Sequence, residues 1–226
     1  MSKKIIGPLA GTTMSPEKIA EKLKIAQMRE QLDKIQSDMN YVAMDVKSVS
    51  NNVGTVEIGK TIDSVTVSWV LNKTPTIQMV NGNTVAVDDR SVVIPGPFTS
   101  GQSFVVKATD ERGKSDSGTT AINFVNGVYY GVLEDGQAID SAAVLGLTRE
   151  LQSEKGITFT ANAGENQRLA YALPSRYGTP KFVIGGFEYE WTKTTISFTN
   201  SSGYTEQYDI WRHGQLGGGN LTVSVS

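Results

Sequence analysis

The sequence predicts a mainly β protein led by an N-terminal α-helical coiled coil. Three observations carry this reading. Apolar residues recur three and four apart from Ile25 to Val53, period-two alternation takes over from Val65, and turn residues cut the rest of the chain into short segments. At 226 residues the chain has room for two compact β domains beside the helix.

Ser15-Pro16-Glu17 reads as a helix start. Serine caps free N–H groups, proline is pre-set for the first helical position, and glutamate suits the positive end of the dipole. The seam then runs Ile25, Met28, Leu32, Ile35, Met39, Val42, Val46, Val49 and Val53, with Asn51-Asn52 and Gly54 as the stop. Gln27, Glu30, Asp33, Lys34, Ser37, Lys47 and Ser48 lie off this seam, which is as narrow as a coiled coil requires. β-Branched Ile35, Val42 and Val49 at the d-type positions argue for three or four strands, and three is the favoured number. The alternative is an amphipathic helix packing on its own chain. The predicted helical segment is 15–53, preceded by an extended docking arm over 1–14 whose apolar contacts are Ile5, Ile6, Pro8 and Leu9.

From Val65 the side chains alternate: Val65, Val67, Trp69 and Leu71 share one face of a strand. Further strands are predicted at 77–80, 85–87, 92–94, 104–108 and 121–125, with a hairpin tip at Asn81-Gly82-Asn83 and a turn over Asp110–Gly113. Short strands with no helix between them predict an immunoglobulin-like sandwich over 55–126 with Trp69 in its core. Asn126-Gly127 reads as the boundary to a C-terminal β-rich, α+β domain over 127–226. That domain begins with a strand at 128–130 and a helix of about ten residues capped by Asp140 or Ser141. Its strands include Ile157–Ala161, Leu169–Leu173 and a run in which Phe187, Tyr189 and Trp191 share a core face.

Composition narrows the function classes. With 21 basic and 23 acidic residues the net charge is −2, which gives no reason to expect nucleic acid or an anionic membrane as a partner. There is no cysteine, so disulfides and thiolate chemistry are excluded. The apolar run near Met1 is broken by Gly7-Pro8 and is too short for a signal peptide, and no run approaches the ~20 residues that span a bilayer.

No catalytic set emerges, and neither a metal nor a cofactor is expected. Gly54-Thr-Val-Glu-Ile-Gly59-Lys60-Thr61 matches the P-loop spacing, but a helix precedes it and a strand follows, the reverse of what phosphate binding requires. Lys60 is read as a solvated strand residue. His213 is the one histidine, with no second imidazole to share a metal. Glu188 and Glu190 have a spacing that suits paired carboxylates, but they alternate with aromatics and read as the wet face of a half-buried strand. Trp211 and His213, on one strand face beside the glycine-rich 214–219 loop, form the candidate glycan contact.

Three sets of residues also carry a resemblance. They are Val65-Thr-Val-Ser-Trp69 with Lys73-x-Pro75 and Thr109–Gly113; Tyr171-Ala-Leu-Pro-Ser-Arg176-x-Gly178-Thr-Pro180; and Ser201-Ser-Gly-Tyr-Thr-Glu-Gln-Tyr208-x-Ile-Trp-Arg212. Together with Val128–Val132 and Gly185-Gly186-Phe187, the pattern resembles bacteriophage virion structural proteins of tail, baseplate or head-fibre type over about residues 55–226. The resemblance implies a non-enzymatic part of a particle, often trimeric, assembled in the host cytoplasm. Its expected partners are its own copies, other virion proteins and, in a receptor-binding variant, a host surface glycan.

Overall fold

The computed structural model describes residues 14–226, which divide into a helical unit ending at Ala43 and a β unit from Met44 to Ser226. The helical unit is α1 (Pro16–Met39), capped by Ser15, whose hydroxyl accepts from the Lys18 N–H. It ends at Asn40, whose N–H still bonds the Gln36 carbonyl. A helix of 24 residues spans about 36 Å. None of its residues is buried.

The β unit starts with β1 (Val46–Asn51), β2 (Thr55–Glu57), β3 (Ile62–Leu71), β4 (Ile77–Val80), β5 (Asn83–Val85), β6 (Ser91–Phe98) and β7 (Gln102–Thr109). Next comes β8 (Ser115–Glu134), a strand of 20 residues. After α2 (Ser141–Leu145) follow β9 (Thr148–Gln152), β10 (Ile157–Ala163), β11 (Gln167–Pro174), β12 (Phe182–Ile184), β13 (Phe187–Tyr189), β14 (Trp191–Thr199), β15 (Thr205–His213) and β16 (Gly219–Val225).

One large sheet runs β14-β15-β11-β8-β7-β4-β5, with β2 and β9 also paired to β8. Two smaller sheets, β1-β3-β6 and β10-β16-β12-β13, complete the unit. Val65, Val67 and Trp69 of β3 share a buried core with Val80, Phe104, Val106 and Ile122 of the large sheet. At the other end Phe159, Val223, Val225 and Phe182 pack with Tyr171 and Leu173 of β11 and with Trp191. On the far face of β11, α2 contributes Ala143 and Val144 to a third cluster with Tyr129, Phe198, Tyr208 and Ile210.

Several sequence expectations hold. Trp69 is buried and its indole N–H donates to Gln78 Oε1 at 3.2 Å. Val80 pairs with Asn83 around Asn81-Gly82, both at positive φ (50° and 80°), the two-residue turn that the strand twist favours.

Others are corrected. The predicted helix over 15–53 stops at Met39, and Val46, Val49 and Val53 belong to the β unit. Val46 and Val49 mimic helical spacing because the β1–β3 register shifts between Val46 and Ser48, so the bulge turns both side chains toward β8. A Cβ on Gly118 would lie 2.6 Å from Val49 Cγ2 and 3.1 Å from Val46 Cγ1, so this close approach needs glycine. The predicted boundary at Asn126-Gly127 falls inside β8. Asn126 is buried there, its amide donating to Glu206 and Tyr208 while its carbonyl accepts from Arg176, and tertiary bonds override the local turn preference. The helix predicted to be about ten residues has five, capped by Asp140, whose Oδ1 accepts from the Ala143 N–H at 2.8 Å. Phe187 and Tyr189 lie on an edge strand and are 71% and 38% exposed; only Trp191, the first residue of a different strand, joins the core.

Asp116 fastens β1 to β8 by accepting from the Val46 N–H at 2.8 Å. That bond, followed by one to the Ser117 backbone, holds its carboxyl below the usual Asp range against the opposing effect of burial. A depressed folded-state pKa gives stability that is complete above the unfolded value of about 3.9 and is lost as the pH falls through the folded one. Asp116→Asn therefore lowers stability at pH 7 and flattens the acid limb. Urea unfolding at pH 7 and pH 3 reads both effects, and an unchanged pH slope contradicts this role.

Candidate functional site

The predicted oligomer seam is a surface on α1. Ile25, Met28, Leu32, Ile35 and Met39 line one stripe of the helix, between 45% and 81% exposed. At 3.6 residues per turn, Ile19 and Leu23 fall on the opposite side, so the stripe begins at Ile25. Val42 lies beyond the helix and is also exposed. Of the three β-branched d-type residues behind the three-strand expectation, Ile35 alone remains helical, so the strand number loses most of its support. Burying one such side chain is worth about 1.5–3 kcal/mol, and a helix of this length with no buried face is marginal alone. The arm residues Ile5, Ile6, Pro8 and Leu9 lie outside the described residues.

The P-loop-like segment is a strap between sheets. Thr55, Val56 and Glu57 pair in parallel with Asn123, Phe124 and Val125 of β8, and a turn follows. Gly59, at φ 94°, sits where a Cβ would lie 2.6 Å from Tyr204 Cβ, so this glycine serves close packing rather than phosphate. Lys60 is exposed in the segment between β2 and β3 rather than in a strand.

Glu57 was legible only as an acidic residue between Val56 and Ile58, yet it is buried to 1% exposure. It accepts from the Tyr129 hydroxyl at 2.9 Å, the Arg149 guanidinium at 2.6 Å and the Ser201 hydroxyl at 3.4 Å. Burial first, and then the bond to Glu57, push the Tyr129 hydroxyl far above its ordinary pKa, so it stays a donor throughout the physiological range.

Trp211 and His213 share a face of β15, as predicted, but it is the core face. Trp211 is half-buried against Phe182, with Lys193 Nζ 5.8 Å from its ring centroid. His213 is buried, with the Tyr189 and Trp191 rings at 5.5 and 5.4 Å. Burial pushes the imidazole pKa down and the nearby Arg168 charge adds to this, while a hydrogen bond to the Gln215 backbone opposes both. Glu188 lies on β13 and pairs with Lys181 at 3.9 Å, whereas Glu190 falls between β13 and β14, so the two are not on one strand.

No helix among the described residues is long and apolar enough to cross a membrane. No protein family, curated protein or solved structure is matched by this chain.

The strap yields an asymmetric expectation. Arg149 is 41% exposed at its side chain and can rehydrate, but Glu57 cannot. Arg149→Ala, which strands a buried carboxylate, destabilises by about 2–4 kcal/mol, more than Glu57→Gln, which keeps an acceptor for Tyr129. Urea unfolding of both variants gives the order, and the reverse order contradicts a carboxylate held by Arg149.

Proposed function

We propose that the chain is a non-enzymatic structural component of a phage particle that associates with its own copies through α1. The observation that carries the reading is the stripe Ile25, Met28, Leu32, Ile35 and Met39, five large apolar side chains on a helix with no buried residue. Sustained three-four spacing is the signature of a coiled-coil seam, and a second copy supplies the same stripe in register. The trimer remains the proposed state, supported by Ile35 at a d-type position and by the resemblance to trimeric virion parts.

The sheet β1-β3-β6, which shares its core with β7 and β8, supports an immunoglobulin-like sandwich, and the region from β8 to β16 supports the second β-rich module. The quoted resemblance segments fall on β3, the turn after β7, β8, β11 with the turn that follows it, the 185–187 turn, and the β14–β15 hairpin with β15. In this reading other virion proteins bind residues 1–14.

Light scattering on the purified chain tests the association. A solution mass of about three times 24.4 kDa is expected, falling to a monomer in Leu32→Glu/Ile35→Glu without loss of β structure. A native monomer at high concentration overturns the self-association.

Deleting residues 1–14 is expected to leave the oligomer intact and to abolish incorporation into particles. Particles that still carry the shortened chain overturn the docking role.

A further inference from the structure

The face of β15 opposite Trp211 and His213 carries Arg212. Directly across the large sheet, Thr192 of β14 pairs with Arg212, Arg212 with Ala170 of β11, and Ala170 with Gly131 of β8. Ala170, one of the smallest side chains, thus stands directly beside an arginine. Arg168, two residues from Ala170, is on the same face and opposite Leu133. Asp135, Arg168, Thr192, Arg212, His213 and Gly214 line a cleft of about 270 Å³ there.

The two arginines differ in how they are satisfied. Arg168 donates from Nε to Asp135 at 2.7 Å and from Nη1 to the His213 and Gly214 carbonyls, which fixes its plane and leaves Nη2 without an acceptor among the described residues. Arg212 has no side-chain hydrogen bond or ion pair among the described residues, and its Nε is shut off from solvent with no partner. A guanidinium cannot shed its charge, and a buried donor without an acceptor is rare in folded proteins. Two guanidinium groups against one carboxylate leave a net positive cleft, with the Thr192 hydroxyl at its rim on edge strand β14. The volume lies just under the usual range for drug-sized ligands, so it suits one small charged group.

We infer that this cleft binds an oxyanion, the phosphate or carboxylate group of a larger molecule, with Arg212 as the principal contact, the pre-oriented Arg168 as the second, and Thr192 as a neutral donor. Planar forks favour oxyanions over halides because two parallel N–H groups meet two oxygens. The site moves ligand recognition from the Trp211 and His213 face to the opposite face of the same strand. It does not depend on self-association or on a role in a particle.

Calorimetric titration of the full chain tests the site, using glycerol 3-phosphate and glucuronate as probes and sodium chloride to match ionic strength. Saturable binding with Kd of about 1 mM or tighter is expected for at least one probe. Binding of the first alone assigns a phosphate source, and of the second alone a carboxylate source. Arg212→Gln is expected to weaken binding at least about tenfold. Arg212→Lys, which keeps the charge and loses the fork, should fall between, and Lys181→Gln, at an exposed cation elsewhere, should match the native chain. If Arg212→Gln does not fold, the Arg212→Lys and Thr192→Ala titrations decide. Failure of both probes to bind, or binding unchanged in the Arg212 variants, overturns the site.

Discussion

The β unit hangs on the continuity of β8. Twenty residues at strand rise reach about 65 Å; β2, β7, β9 and β11 pair directly to stretches of it, and β4, β5, β14 and β15 join through β7 and β11. Residues 115–122 pair with β7, 123–125 with β2, 126–130 with β9 and 129–134 with β11. Burial changes along the same strand. It alternates with an exposed face over the first half, and Asn126, Gly127, Val128 and Tyr129 are then buried in succession because sheet and helix cover both sides. A break at Asn126 would cut the sheet in two. The buried amide, bonded to Glu206, Tyr208 and Arg176, is what holds the strand straight through a dipeptide that elsewhere makes a turn.

A second constraint follows from the first. A strand that serves three cores needs something to fix their relation, and β2 does so with a buried charge. Glu57 reaches Tyr129 on β8, Arg149 on β9 and Ser201 in the β14–β15 turn, while the Asn200 amide bonds the Ile58 carbonyl at 2.8 Å. A buried ion pair is a weak source of net stability but a demanding one in geometry, since each donor must arrive in place. This explains why the residues of a phosphate-loop pattern occur with no phosphate role. Gly59 admits Tyr204, and Glu57 collects the donors.

Much of this was legible from local pattern. The strands at 65–71, 77–80 and 104–108, the Asn81-Gly82 turn and the cap at Asp140 depend on near neighbours, and the sequence states near neighbours directly. The failures share a cause. Val46 and Val49 kept helical spacing because a bulge adds one residue to a strand, although their β-branching, like that of Val42 and Val53, already favoured extension. Phe187 and Tyr189 kept strand periodicity, but the Gly185-Gly186 turn carries them to a sheet edge, where Phe187 is mostly exposed and Tyr189 rests on His213. The cleft at Arg212 was out of reach, because Asp135, Arg168 and Thr192, which line it with Arg212, become its neighbours only through strand order.

Strand order also gives Trp211 and Arg212 of β15 different surroundings. Period-two alternation ranks side chains by face but does not say which face is covered. Aromatic rings drew attention to Trp211 and His213, and their size is the reason they were taken into the core with Phe182 and Trp191. Arg212, Tyr208 and Ile210 point the other way, where Tyr208 and Ile210 are sealed by α2 and its neighbours. Gly131 of β8 is met by Leu147, just past the short α2, rather than by a side chain from β15. The apolar part of this face is thus covered, while Arg212 lines an open cleft with no side-chain partner among the described residues.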